Sequence, residues 1–263
     1  MPFHSTEKHG NHGFSFIELA IVLTIFGLLV GAIMQGKALM RASELQDVIA
    51  QLRTFTVADQ AFREKYQAVA GDMSTATTLW GAADPLSAAD CMLQLIFVGA
   101  PDNKTCNGNG TGFVETSGDT YAERPLYWQH LSNAGLISGK YSGFETTGGS
   151  CCFRTTSNMP AGKIKTSLWS PNSSIITPFS YQLGGQTAPT GGMPAGMNTG
   201  NIFTPEELWS LDTKIDDSRP LTGMVVAGAS GANNCWSGSG TTSTYVLTYS
   251  AVACFAYFFI NQE

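Results

Sequence analysis

One long apolar stretch near the start of the chain limits what this protein can be. Residues 14–34 form a run of 21 residues with one charged side chain, that of Glu18. A helix of that length measures roughly 30 Å, the thickness of the hydrocarbon layer of a membrane. A secretory signal peptide is the main alternative, but its apolar part is about 7–15 residues long and ends at a small-residue cleavage site that is missing here. The stretch therefore predicts a transmembrane helix.

The carboxylate of Glu18 is the unusual feature of this stretch. An acidic residue inside a membrane helix costs about 2.5–3.5 kcal/mol to insert, so it requires a partner or a function. If the chain were cut between Gly13 and Phe14, the new α-amine of Phe14 would lie one helical turn from Glu18. The amine of a neighbouring subunit could then neutralise the carboxylate, and the charge would set the register between packed helices.

The sequence HGFSFIEL at residues 12–19 resembles the processing site of type IV pilins and type II secretion pseudopilins. The resemblance combines a glycine, an aromatic residue, an acid five residues into the mature chain and a long apolar helix. It implies that a membrane prepilin peptidase cleaves after Gly13 and that Phe14 becomes the N-methylated terminus. It also implies that Glu18 aligns incoming subunits.

The same resemblance implies partners and a location. The partners are other pilin or pseudopilin subunits in a helical filament, the prepilin peptidase and an inner-membrane assembly platform. The precursor crosses the inner membrane once, with its head in the periplasm, and then enters a pilus or a secretion pseudopilus. Nucleic acid is not expected as a partner, because the net charge of −6 gives no excess of positive charge to attract a phosphate backbone.

Apolar residues recur at three- and four-residue steps between Leu45 and Tyr66, with polar residues between them. This spacing predicts that one amphipathic helix continues the membrane helix. At about 1.5 Å per residue, a helix over residues 14–66 would be about 80 Å long, so its first half would project from a head packed on the second half. A coiled-coil seam is the alternative for this apolar stripe, although the repeat is too short for several heptads.

Patterns typical of β-strands dominate the later part of the chain. They occur at residues 163–169, 173–183, 222–229, 243–250 and 253–260. We therefore predict an α+β fold, a pilin-like lollipop in which the long N-terminal helix packs on a largely antiparallel β-sheet head. The expected parts are a leader at 1–13, a transmembrane or filament-core helix at 14–34, its amphipathic continuation at 35–66 and a disulfide-containing globular head at 67–263.

An even number of cysteines in the later part of the chain suits an oxidising compartment. The six are Cys91, Cys106, Cys151, Cys152, Cys235 and Cys254. The segment between the last two resembles the disulfide-bounded C-terminal region of type IV pilins, which implies a bridge between them. Cys91 with Cys106 is the next candidate pair, and the two adjacent cysteines bond either to each other or to different partners.

Three carboxylates crowd the end of a short helix that the capping-box pattern at residues 204–207 predicts. They belong to Asp212, Asp216 and Asp217, at a helix end where the dipole disfavours anions. Lys214 and Arg219 are the simplest counter-charges. A Ca²⁺ ion held by these acids and loop carbonyls is the alternative, since hard cations take oxygen ligands and some secretion pseudopilins bind calcium.

The sequence offers little for catalysis. It has no nucleophile elbow, no phosphate-binding loop and no dinucleotide fingerprint, and His130 is the one histidine beyond the first thirteen residues. No catalytic residue and no cofactor other than Ca²⁺ is predicted. A membrane-anchored periplasmic enzyme is therefore a minor alternative.

We expect a non-enzymatic structural subunit of a type IV pilus or a type II secretion pseudopilus. Removal of the leader would leave 263 − 13 = 250 residues, which is larger than a typical major pilin and favours a minor or specialised subunit. The alternative is an adhesin-type pilin whose head binds a surface ligand or glycan. Five tryptophans could contribute to such a carbohydrate site, although tryptophan more often fills cores and interfaces.

Overall fold

The computed structural model of the chain describes residues 15–83, 103–114, 123–143, 158–174, 177–186 and 198–260. The helices within this part are α1 (Phe16–Tyr66), α2 (Ala76–Trp80), α3 (Glu123–Asn133) and α4 (Pro205–Ile215). The strands are β1 (Ser167–Ser174), β2 (Thr177–Gly185), β3 (Val225–Gly228), β4 (Trp236–Ser237), β5 (Thr244–Tyr245) and β6 (Phe255–Phe259). The chain divides into two units, Met1–Glu44 and Leu45–Glu263.

The first unit contains the apolar part of α1. This part is long and apolar enough to cross a membrane, and none of its most apolar 18-residue window is buried. Within the described residues α1 runs without interruption from Phe16 to Tyr66, as the sequence predicts. No proline occurs in this range, so no ring interrupts the backbone hydrogen bonds of the helix.

A four-stranded antiparallel sheet with the order β1-β2-β6-β3 forms the centre of the second unit. The sheet and the long helix confirm the predicted α+β fold class. Strand β1 lies later than the predicted segment 163–169 and includes Pro171. Strand β1 is an edge strand, and the N–H groups of Trp169 and Ser173 donate to loops outside the sheet. Pro171 lies between these two residues in the same alternation, so the N–H that it lacks would point away from β2 and no hydrogen bond of the sheet is lost.

The predicted strand at residues 243–250 is reduced to two residues, which pair with β4. After Tyr245 the backbone turns, with the N–H of Tyr249 donating to the carbonyl of Val246. Leu247 is 48% exposed in this turn. The apolar residues of the segment therefore do not form the buried face of a strand.

The core of the second unit forms where the later part of α1 packs on the sheet and on α3. Five of the helix residues that pack there recur at three-, four- and seven-residue steps, as the amphipathic pattern predicts: Leu45, Val48, Leu52, Phe55 and Phe62. The ring of Phe55 lies 4.8 Å from that of Trp128 and 5.7 Å from that of Trp169. The core residues in the described part of the chain lie between Leu45 and Ile260.

A buried polar network connects α1 to α3 and β2. The hydroxyl of Tyr127 donates to Asp59 at 3.0 Å, and Arg63 binds the other carboxylate oxygen at 2.7 Å. Tyr181 hydrogen-bonds Tyr127, and its hydroxyl lies 3.0 Å from the carbonyl oxygen of Phe55. Burial raises the pKa of Asp59, and the Arg63 guanidinium opposes this shift. These directional contacts fix the rotation of α1 against the sheet.

Candidate functional site

The carboxylate of Glu18 lies in the first turn of α1. Its Oε2 atom accepts a hydrogen bond from the backbone N–H of Ser15 at 2.8 Å. Ser15 precedes the helix, and its carbonyl accepts from the N–H of Leu19 at 3.2 Å. The acid therefore satisfies one of the free N–H groups at a helix start, where the helix dipole also favours negative charge.

Apolar side chains cover the helix that follows Glu18. Phe16 is 88% exposed, and Leu28 and Met34 are exposed to a similar degree. A Cβ atom at Gly27 or Gly31 would meet no atom within 4 Å beyond the adjacent residues and backbone of its own helix. An apolar surface of this extent requires lipid or another protein to cover it. Gly13 and Phe14 lie outside the described residues, so their roles in processing remain predictions.

The predicted bridge between Cys235 and Cys254 is present, with the two Cα atoms 5.3 Å apart. It joins the residue before β4 to the residue before β6, and so ties the β4–β5 pair to the central sheet. Cys106 is also disulfide-bonded. Its candidate partner Cys91, like Cys151 and Cys152, lies outside the described residues, so the pairing of these four cysteines remains a prediction.

The three aspartates at the end of α4 lie close together. One carboxylate oxygen from each of Asp212, Asp216 and Asp217 lies within 4.8 Å of the others. Neither Lys214 nor Arg219 forms a salt bridge with them in the described part of the chain, and Arg219 donates from Nη1 to the carbonyl oxygen of Thr241. The two cations therefore make no direct ion pair with the cluster in the described residues, and their role as counter-charges stays a prediction.

Backbone and hydroxyl donors hold the cluster instead. Asp212 accepts from the N–H of Ser218 at 3.0 Å and from the hydroxyl of Tyr245 at 2.8 Å. Asp217 accepts from the N–H of Arg219, and Asp216 accepts from the N–H groups of Met224 and of Val225, the first residue of β3. These backbone N–H and hydroxyl groups can reach the carboxylates because the chain folds back over the end of α4. That arrangement cannot be read from the spacing of the charges.

Burial raises the pKa of Asp212 to about 6, and the neighbouring Asp217 and Asp216 add to the shift. The hydrogen bonds from Tyr245 and Ser218 act in the opposite direction. Ionised acids with free lone pairs provide the oxygen ligands that Ca²⁺ prefers. The residues thus suit a calcium ion, and the calcium hypothesis stays a prediction.

Replacing Asp212 by asparagine tests both the raised pKa of this residue and the calcium hypothesis. The folded pKa of Asp212 lies above the unfolded value, so ionisation destabilises the fold as pH rises from about 4 past about 6. We expect Asp212→Asn to raise the melting temperature at pH 7.5 and to leave it nearly unchanged at pH 4. Millimolar Ca²⁺ should stabilise the wild type and not the variant if the cluster binds calcium. A variant less stable than the wild type at pH 7.5 without Ca²⁺ would contradict the burial argument.

His130 is fully buried between α1 and the loop at 103–114. Its Nδ1 atom accepts from the N–H of Gly71 at 2.9 Å, which places the ring proton on Nε2, near Thr105 and the carbonyl of Cys106. Burial lowers the pKa of His130 to about 4, so the ring is neutral at pH 7. The histidine therefore joins two segments of the core and does not face solvent.

A family model of the prokaryotic N-terminal methylation motif matches residues 8–34. The match spans the predicted cleavage position, Glu18 and the exposed apolar part of α1. It confirms the resemblance that residues 12–19 indicate, because this motif is the hallmark of the prepilin-type cleavage segment. No curated protein and no solved structure matches the chain.

Proposed function

We propose that this chain, which its prepilin-type N-terminal segment marks as a type IV pilin-like or pseudopilin protein, is a structural subunit of a pilus or a secretion pseudopilus. The motif itself points to processing by prepilin peptidase and to assembly with other pilin subunits. The finer assignment is that the chain is a minor or specialised subunit. The size of the chain supports it, since a mature form of 263 − 13 = 250 residues would be large for a major subunit.

The observation that carries the proposal is the exposed apolar helix with one acid at its start. In the precursor, lipid would cover the apolar side chains and the N–H of Ser15 would satisfy Glu18. In a filament, neighbouring helices would replace the lipid. A membrane helix gains little from apolar contacts alone, because lipid tails are equally apolar, so a polar contact is needed to select one arrangement.

Glu18 would supply that contact. Cleavage between Gly13 and Phe14 frees an α-amine, and N-methylation leaves it basic. A carboxylate in a low-dielectric filament core would then attract the amine of an adjacent subunit much more strongly than it would in water. The pair forms only at one axial offset between two helices, which is how a single charge would align each incoming subunit.

The covalent chemistry of the head supports a periplasmic location. The disulfide between Cys235 and Cys254 lies in the second unit of the chain. Disulfides persist in oxidising compartments such as the bacterial periplasm. This supports an inner-membrane precursor whose residues beyond α1 face the periplasm before assembly.

Intact mass spectrometry of the membrane-extracted protein tests the proposal. We expect the mass of the chain without residues 1–13, increased by one methyl group. Gly13→Val should retain the leader, because a bulky side chain would occupy the position next to the scissile bond. Gly10→Val is the matched control and should be processed normally. A wild-type protein that keeps Met1 through Gly13 in cells with active prepilin peptidase would exclude the pilin class.

The adhesin alternative concerns the head. Trp128 and Trp169 are fully buried in the core, whereas Trp209 on α4 is 38% exposed. Trp209 is therefore the tryptophan most available to a sugar ring. Binding of the head to a glycan array would favour the adhesin hypothesis over a purely structural subunit.

A further inference from the structure

A groove of about 520 Å³ lies in the second unit, between the later part of α1, the end of α4 and strand β6. Small-molecule sites in proteins typically measure about 300–1,000 Å³, are mostly apolar and carry a few polar groups that orient the ligand. The groove has this size and this composition. It lies outside the prepilin-type segment. The three clustered aspartates do not line it among the described residues, although Asp216 accepts from the N–H of Met224, which does.

Eight of the eleven residues that line the groove are apolar. Leu52, Phe258 and Ile260 are buried and form its floor. Val57 is 64% exposed and forms part of its edge. An apolar surface that is concave and open to solvent gains free energy when an aliphatic group displaces water from it.

Two cations stand at the opening of this groove. Arg53 projects from α1 and Lys214 from the last turn of α4, and both side chains are exposed. Neither forms a salt bridge or a hydrogen bond with another group in the described part of the chain. Two exposed cations that form no ion pair therefore line one apolar groove, where an anionic group could pair with both.

The acids that flank Lys214 on α4 and in the loop after it form no salt bridge with it in the described part of the chain. Asp216 accepts hydrogen bonds from the N–H groups of Met224 and Val225, and Asp217 accepts from the N–H of Arg219 and the hydroxyl of Thr222. These two carboxylates thus make hydrogen bonds to backbone and hydroxyl donors and no ion pair with Lys214. An anionic group at the opening would meet Arg53 and Lys214 without competition from an existing ion pair.

We propose that this groove binds a single-chain fatty acid, with the aliphatic chain on the apolar floor and the carboxylate between Arg53 and Lys214. The apolar lining selects the chain, and the two cations select an anionic head group over a neutral or a cationic one. The volume accommodates one chain. This site is independent of the proposed filament assembly, since it is built entirely from residues beyond Leu45.

Photolabelling of the full chain in phosphatidylcholine nanodiscs tests the site. The probe is dodecanoate with a diazirine near the end of its chain, and labelled peptides are identified by mass spectrometry. We expect labelling of the peptides that contain Leu52 or Phe258, and we expect excess dodecanoate to compete and dodecanol not to. Labelling of residues 16–34 by the same probe serves as the internal reference for its delivery.

The double variant Arg53→Gln/Lys214→Gln should reduce labelling of the groove peptides by roughly fivefold, the upper range for one exposed ion pair. The matched control Lys163→Gln/Lys165→Gln removes the same charge from an exposed segment outside the groove and should leave labelling unchanged. Label confined to residues 16–34, or groove labelling that both double variants leave intact, would overturn the proposal. So would groove labelling that disappears when subunits assemble, because a second copy would then be the occupant.

Discussion

Replacing Glu18 by leucine is expected to leave membrane insertion and leader removal intact and to reduce filament assembly by at least about a hundredfold. Insertion should persist because leucine removes the cost of placing an acid in lipid. Assembly should fail because breaking a buried ion pair by removing one partner typically costs about 3–5 kcal/mol. The amine of the neighbouring subunit would then be buried without a counter-charge. The measurement is the fraction of subunit that sediments as filaments against the fraction that stays in the membrane.

Two further variants separate the charge of Glu18 from its other properties. Glu18→Gln keeps an oxygen that can accept from the N–H of Ser15, so it preserves the helix start seen here and removes only the charge. We expect it to assemble as poorly as the leucine variant. Thr24→Leu is the control for added apolar volume, because the hydroxyl of Thr24 donates to the carbonyl of Ile21 in its own helix. Normal filaments from Glu18→Gln would show that the charge does not align subunits.

The parts of this molecule that could be predicted from sequence are those whose cause is local. The membrane segment depends on 21 consecutive residues, and the apolar stripe of α1 depends on steps of three and four residues. The capping box at the start of α4 is present as the sequence predicts, with Thr204 and Glu207 bonded to each other's backbone N–H. Each of these features is contained within a few turns of chain.

The parts that could not be predicted depend on residues far apart in the sequence. Asp59 stands on the buried side of α1, but nothing near it indicates that the hydroxyl of Tyr127 lies 3.0 Å away. Arg53 and Lys214 line the same groove because the end of α4 and the later part of α1 both border it. The aspartate cluster was predicted as a cluster, whereas its donors come from the loop that folds over it. Tertiary contacts of this kind produce no periodic pattern in the sequence, so they could not be predicted from it.

Phe55 shows how these two classes of information combine. Its position on the apolar stripe is evident from the sequence, but its importance comes from three aromatic neighbours on other elements. Its ring lies 4.8 Å from Trp128 on α3, 5.7 Å from Trp169 on β1 and 6.1 Å from Tyr181 on β2. One side chain thus contacts both the helix and the sheet that pack on α1.

Phe55→Ala is therefore expected to destabilise the second unit by about 3–5 kcal/mol, the usual cost of removing a buried aromatic ring. For a unit of this size that corresponds to a fall in melting temperature of roughly 10 °C. Tryptophan fluorescence during urea unfolding of the full chain measures the change, because two of the ring's neighbours are tryptophans. Val57→Ala on the same helix is the control: its side chain is 64% exposed, so the change should stay within about 0.5 kcal/mol. Equal losses from the two variants would mean that α1 is not held to the sheet through Phe55.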